Sequence, residues 1–433
     1  MVKRLNIKDK SFQDQFDSFL ESYNLQSVNI DSEVSSILED VYLNGNNALI
    51  RYSKKFDNLD LCIHEMKVNK EEINLAKKSI DQSSFDALSL ASKRIFEYHK
   101  DQLPEDKVYR DDQDVMLGSK WSPISSVGIY VPGGTASYPS SVLMNAIPAK
   151  VAGAKKITMT VPAPKNFISP EVLVAANLAG VDQIYKLGGA QAIGALAYGT
   201  ETIESVDKIV GPGNSYVASA KKLVFGRVGI DMIAGPSEIL IVADDKVNPT
   251  WISADLLAQA EHDSDSKSIL ICGNSEYADK VEASISKQIK KLSRSEIAAQ
   301  SWEHNGLIII VEDIYDSGSL IDKIAPEHVE LALFEPERIL NSFSNAGAIF
   351  CGNYTPGALG DYVAGPNHVL PTSRASRFAS GLSVLDFVKR SSVVSCNSSS
   401  FNKIGPSAIK LAEIEGLTAH ALSLSLRISS SEK

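Results

Sequence analysis

An α/β fold built on two parallel sheets is predicted by three observations. From about Val115 onward, short β-branched runs alternate with alanine-rich helical runs, the arrangement that covers a parallel sheet on both faces. The alternation runs through two rounds, the second beginning after Pro236. Glycine-rich turns follow the strands that end near Val131, Leu187 and Val210. A chain of 433 residues is too long for one simple core, so the reading is two Rossmann-like parallel-sheet domains with a helical N-terminal lead-in and a small C-terminal helical tail.

The elements follow in order. Residues 1–25 read as an N-terminal arm. Asp31 to Phe56 carries Ile37, Val41, Leu49 and Ile50, and Lys70 to Gln102 carries Ile73, Ile80, Leu88 and Ile95, at helical spacing. In the first round, strands are predicted at Val127 to Val131, Lys156 to Val161, Gln183 to Leu187 and Lys208 to Val210. Helices lie between and after them, at Ser140 to Ala152, Pro170 to Leu178, Gln191 to Tyr198 and Ser215 to Phe225. In the second round, strands fall at Ile239 to Ala243, Ser268 to Cys272, Leu307 to Val311 and Val329 to Leu333. Its helices fall at Pro249 to His262, Tyr277 to Leu292 and Pro336 to Phe343. The expected division is 26–129 with 238–381 as one α/β domain, 130–237 as a second, and 382–433 as a tail, helical over Pro406 to Arg427.

Composition removes several function classes. With a net charge of −10 and no basic cluster, general nucleic-acid binding is not expected, because nothing would displace counterions from phosphates. The N-terminus lacks the apolar core of a signal peptide and no apolar run approaches spanning length, so a cytoplasmic protein without membrane attachment is expected. Cys62, Cys272, Cys351 and Cys396 show neither metal-site nor disulfide-framework spacing and read as buried free thiols.

Polar islands carry the chemistry. On a helix, Gln259 and His262 project side by side, although such a pair is ordinarily surface or capping decoration. Asp361 lies in a glycine-rich loop, and His420 follows Glu415-Gly416. Together Gln259, His262, Asp361 and His420 offer two imidazoles, a carboxylate and an amide oxygen, a set that suits zinc and accepts manganese or cobalt. On a continuous helix Glu415 and His420 would diverge by about 140°, so a bend at Gly416 is required for both to serve one site. Pro326-Glu327-His328 precedes an apolar run. Two adjacent proton-transfer groups can act on one spot only at a turn or helix start, and Pro326 makes a turn plausible. The glycine-rich turns are equally compatible with dinucleotide phosphates and with ordinary loops, since no GxGxxG run is present.

These islands, with Tyr130-Val131-Pro132-Gly133-Gly134, Tyr138-Pro139-Ser140-Ser141-Val142, Gly188-Gly189-Ala190-Gln191, Gly211-Pro212-Gly213-Asn214, Ala234-Gly235-Pro236-Ser237-Glu238 and Gly365-Pro366-Asn367-His368, closely resemble the histidinol dehydrogenase family. The resemblance runs from about Val34 to His420. It implies Glu327 and His328 as proton-transfer residues, Tyr130, Gln191 and Asn214 as NAD contacts, and Gln259, His262, Asp361 and His420 as ligands of one zinc per subunit. It also implies substrate contacts from Ser237 and Glu415 as well as from His328 and the zinc-site residues, and a homodimer whose tail reaches the partner subunit's active site. His368 is either an outer support of the metal or a satisfied structural histidine. His64, His99 and His304 are expected to be ordinary, with His304 in a polar loop.

The implied reaction is oxidation of L-histidinol through bound L-histidinal to L-histidine with two NAD, the last step of histidine biosynthesis. A zinc and NAD enzyme acting on another small primary alcohol is the nearest alternative. A non-catalytic metal-binding dimer is the alternative from another class. Gly357 and the two arginines Arg374 and Arg377 depart from the family pattern.

Overall fold

The computed structural model describes residues 2–21, 30–59, 62–133, 137–233 and 235–429. Gly134 and Ala234 of the motifs above, and residues 22–25 of the arm, lie outside the described residues. The N-terminal part comprises β1 (Lys3–Asn6), α1 (Phe12–Glu21), α2 (Asp31–Phe56), α3 (Lys70–Ser79), α4 (Gln82–Lys100), β2 (Lys107–Arg110) and β3 (Met116–Pro123). The first round follows as β4 (Ser126–Tyr130), α5 (Pro139–Val151), β5 (Lys156–Val161), α6 (Pro170–Leu178), β6 (Gln183–Lys186), α7 (Gly189–Tyr198), β7 (Lys208–Val210), α8 (Ser215–Val224) and β8 (Gly229–Ile230).

The second round is β9 (Glu238–Ala243), α9 (Pro249–Ala260), β10 (Lys267–Cys272), α10 (Ser275–Gln288), α11 (Ser295–Asn305), β11 (Leu307–Ile310), α12 (Gly318–Ile324), β12 (His328–Ala332), α13 (Glu337–Leu340), β13 (Ala348–Cys351) and α14 (Gly357–Tyr362). The tail holds β14 (Val388–Ser395), α15 (Ser398–Ile414) and α16 (Thr418–Ser429).

Two all-parallel sheets result, one of five strands in the order β6-β5-β4-β7-β8 and one of six in the order β1-β11-β10-β9-β12-β13. Strands buried on both faces read as continuous apolar runs, and Ile239 to Ala243, Ile269 to Cys272 and Leu307 to Ile309 are buried throughout. Alternate residues feed two cores. Leu240, Val242, Val329 and Leu331 point to one side, while Ile239, Ile241 and Ala332 point to the side covered by α9, α10 and α11.

Several expectations need correction. The arm is part of the larger sheet: β1 pairs in parallel with β11, and Phe12, Phe16 and Phe19 of α1 enter its core. The lead-in helices, expected with residues 238–381, pack instead on the five-stranded sheet, through Val34, Ile37 and Val41 of α2 and Ala91 and Ile95 of α4. The single helix expected over Lys70 to Gln102 is two, because Ile80 is extended and Asp81 caps the next helix by accepting from the Ser84 N–H at 2.9 Å.

A third, antiparallel sheet in the order β14-β3-β2 was not expected. Its central strand pairs with a partner far along the chain, and its side chains are half exposed and mixed in polarity, so no alternation announces it. α15 begins eight residues before Pro406, where the tail helix was expected. His304 lies in α11 with Nδ1 on the Gln300 oxygen at 2.9 Å, not in a loop. Only Cys272 is buried, where burial pushes its thiol up to about 11; the other three cysteines are exposed. No helix among the described residues is long and apolar enough to cross a membrane.

Candidate active site

The catalytic candidates stand at the amino-terminal edge of the six-stranded sheet. Glu238 opens β9 and His328 opens β12, and the parallel register sets His328 beside Ile239 and Ala348. Glu327 sits in the bend before β12, reached through Ala325, whose φ is 50°. That bend frees Glu327 from strand alternation. Its Oε2 lies 3.6 Å from His328 Nδ1.

One backbone unit fixes both side chains. The Glu238 N–H donates to Glu327 Oε2 at 2.9 Å, and the Glu238 carbonyl accepts from His328 Nδ1 at 3.0 Å. A carbonyl oxygen only accepts, so Nδ1 carries hydrogen and Nε2 of the neutral ring carries the lone pair. Both side chains are buried. Burial pulls the His328 pKa below the usual imidazole value, against the opposing pull of Asp361 and the Glu238 carbonyl. Burial also pushes the Glu327 carboxyl well above the usual carboxylate range; the Glu238 N–H opposes this, and the neighbouring acids Glu238 and Asp361 add to it.

Asp361, expected in a glycine-rich loop, lies instead in the short helix α14. Its Oδ1 lies 3.8 Å from His328 Nε2. Phe350 of β13 stacks on the His328 ring with centroids 5.8 Å apart, and α14 leans on the same phenyl ring at Gly360. A Cβ at Gly360 would strike the Phe350 ring, so α14 comes this close to β13 only because that position carries no side chain. His262 lies near enough to affect the ionisation of both His328 and His368. It occupies the turn just past α9, its N–H on the Gln259 oxygen at 3.2 Å, so the helix expected through His262 ends at Ala260. Gln259 is buried in the last turn of that helix.

His368 is bonded at both nitrogens. Nδ1 donates to the Asp361 carbonyl at 2.9 Å, and Nε2 faces Ser141 Oγ of α5 at 3.4 Å. The neighbouring Asn367 donates to the Met144 carbonyl at 2.6 Å, and Thr372 Oγ1 accepts from Gly235 N at 2.6 Å. Asn367 also faces His99 Nε2 at 3.4 Å, which leaves His99 as a satisfied core residue. Segment 367–372 thus ties Asp361 and α14 to α5, the helix that follows β4 of the other sheet. Ser237 is half-buried beside Glu238, immediately before β9.

The carboxyl edge of the five-stranded sheet carries the residues expected to meet a dinucleotide. Tyr130 ends β4 with its hydroxyl accepting from Gly189 N at 3.2 Å, and burial pushes its pKa up to about 12. Gln191, in the first turn of α7, is buried with neither amide atom partnered, a group that requires a ligand or water. Asn214 caps α8 by accepting from Val217 N at 3.1 Å. The turn before it is gripped by a buried ion pair: Asp231 Oδ2 accepts from Gly211 N at 2.8 Å, Lys221 Nζ donates to Gly211 O at 2.9 Å, and the two side chains pair with each other. Gly211 has φ 114°, and a Cβ there would strike the Tyr130 carbonyl.

Glu415 and His420 do not join this constellation within one chain. Gly416, at φ 70°, provides the expected break, but both residues lie exposed on the hairpin that α15 and α16 form with each other. Leu411, Ile414, Leu422 and Leu426 are exposed on it too. Among the described residues, no three His, Cys, Asp or Glu side chains close on one point as a metal site would require.

A family profile described as Histidinol dehydrogenase matches residues 21–428. The chain belongs to the histidinol dehydrogenase family. It is 52% identical over 429 residues to the histidinol dehydrogenase of Rhodospirillum rubrum, covering 99% of each chain. It is 53% identical over 417 residues to that of Agrobacterium fabrum, covering 96% of each. The solved histidinol dehydrogenase of Elizabethkingia anophelis superposes with a TM-score of 0.95 at 35% identity, across 100% of this chain and 99% of that one. The histidinol dehydrogenase match therefore takes in both parallel sheets, α14 and the hairpin.

Sequence reasoning assigned no role to Glu238, Phe350, Gly360, Lys221 or Asp231. A signal existed for Glu238 alone, a charged residue heading an otherwise apolar strand.

Proposed function

We propose that this chain is a cytoplasmic, zinc-dependent and NAD-linked histidinol dehydrogenase that oxidises L-histidinol through bound L-histidinal to L-histidine as a homodimer. The observation that carries this reading is the pair Glu327 and His328, fixed by one backbone unit and set against Asp361 and His262, in a chain of this family.

Gln259, His262 and Asp361, with His420 of the partner subunit's hairpin, would hold the zinc. Their mixed nitrogen and oxygen character suits that ion, and the exposed position of His420 beside an uncovered apolar stripe fits delivery to a second copy. Bound zinc would grip and orient the imidazole and amine of histidinol. Tyr130, Gln191 and Asn214 would face NAD, which takes up hydride when bound; the unpartnered amide of Gln191 suits a polar ligand there.

The chain's own groups then move protons. His328, neutral and with its Nε2 lone pair directed to the Asp361 side, takes the hydroxyl proton as hydride leaves the alcohol carbon. Water must add to the resulting aldehyde before a second hydride can leave. Glu327, whose raised pKa makes its carboxylate a stronger base, takes the proton from that water. The balance is one alcohol, one water and two NAD giving one carboxylate, two NADH and three protons. Ser237 and Glu415 would contact the substrate.

The test is to strip metal from purified protein with a chelator, restore zinc, and follow L-histidine formation from L-histidinol and NAD. Histidine formed only with zinc supports the reading. Turnover of a different primary alcohol in preference to histidinol would move the chain to another substrate on the same machinery.

A further inference from the structure

Three elements of the proposed zinc site converge on a pair of acids that the reaction does not use. Glu330 is buried in β12, two residues beyond His328 and therefore on the same face. Asp255 lies on α9, one turn before Gln259. Their side chains hydrogen-bond to each other, and Glu330 Oε2 also accepts from the Gly357 N–H at 3.2 Å. Gly357 is the first residue of α14, the short helix that ends with Asp361 and Tyr362. α14 packs against both α9 and β12.

Two carboxylates cannot bond directly without a proton between them. The bond favours the charged form of Asp255 and the neutral form of Glu330, so Glu330 carries the proton and donates to Asp255. The arrangement is a three-way tie in which the strand of the base, the helix that carries Gln259 and leads into the His262 turn, and the helix of Asp361 meet through one carboxylic acid.

We propose that Asp255 and Glu330 are positioning residues of the metal centre, a proton-sharing pair that sets the separation between the Gln259/His262 and Asp361 ligand groups. This rests on the zinc reading above. The pair is not among the proposed ligands. It acts through the helix ends that carry them, as outer partners of metal sites do. Gln at position 330 reproduces the neutral acid, with its oxygen for Gly357 and its NH2 for Asp255. Leu at 330 supplies neither bond.

The experiment measures zinc affinity of the full-length, metal-stripped protein by competition with a chromophoric chelator, with NAD affinity as a second readout. Glu330→Gln is expected to hold zinc within about twofold of the original chain, and Glu330→Leu to lose about 10- to 100-fold with NAD affinity unchanged. Equal zinc affinity in the Leu variant, or a loss in the Gln variant as large as in the Leu variant, would overturn the proposal. If Glu330→Leu does not fold, Gly357→Pro removes the N–H that Glu330 accepts, at a first helical position that tolerates proline and where an added Cβ meets Ile239 Cδ1 at 3.4 Å, an ordinary contact. Weakened zinc binding there supports the tie, and unchanged binding overturns it. An original chain that takes up no zinc would overturn the zinc reading and this proposal with it.

Discussion

His328 gives its Nδ1 hydrogen to the backbone oxygen of Glu238 at 3.0 Å, and that bond decides which ring nitrogen is free to act. The carbonyl belongs to the strand neighbour, so no side-chain substitution at position 238 removes it. Replacing His328 with Asn should keep zinc bound while lowering both oxidation steps by about 10³-fold or more. Metal analysis beside single-turnover rates checks this. Loss of zinc in the variant would make His328 a ligand instead of a base.

Glu327 shares the Glu238 backbone, and the proposed mechanism gives it the later proton. Glu327→Gln keeps an oxygen for the Glu238 N–H and removes the base. Oxidation of added L-histidinal should fall by about 10²-fold, while the first hydride transfer from histidinol falls less. Equal loss in both steps would remove water activation from its duties.

The exposed hairpin makes a prediction about subunits. His328→Asn and His420→Asn chains are each expected to be inactive alone. Mixed, unfolded and refolded together, they should recover activity, because one site of the heterodimer then has both intact residues. Two inactive chains that never complement would place the whole site in one subunit.

Glu238 makes a prediction about pH. Its carboxyl is buried, and burial lifts its pKa to about 7, opposed by the Ser373 N–H that its Oε1 accepts at 2.9 Å and by Lys267. An acid whose pKa is raised on folding favours the folded state most fully below its unfolded value of 4.5. That contribution is lost as pH rises from there to about 7, and is constant above. The loss is on the order of 3 kcal/mol. Denaturant midpoints between pH 4.5 and 8 should therefore fall less steeply in Glu238→Gln than in the original chain. Parallel slopes would contradict the shift.

Both parallel sheets were legible because strands buried on two faces leave unbroken apolar runs, as in Ile239 to Ala243. The antiparallel sheet was not, since Val388 to Ser395 is exposed along most of its length and gains its identity only by pairing with Met116 to Pro123. The site divides in the same way. Glu327, His328, His262 and Asp361 belong to motifs and were named through the family resemblance that those motifs carry. Phe350 and Gly360 could not, because a phenyl ring and an absent side chain acquire meaning only when β13 and α14 meet beside His328. Asp255 and Glu330 sit within apolar segments, a hint of burial with no indication of a partner. His420 was named, yet within this chain it lies exposed on the hairpin and does not meet Gln259, His262 and Asp361.

The central claim is a four-electron oxidation by one site, and the measurement that meets it most directly is NADH formed per L-histidinol consumed, with and without a chelator. Two NADH for each histidinol, abolished by chelation and restored by zinc, is the predicted result. One NADH with histidinal released, or turnover indifferent to chelation, would contradict it.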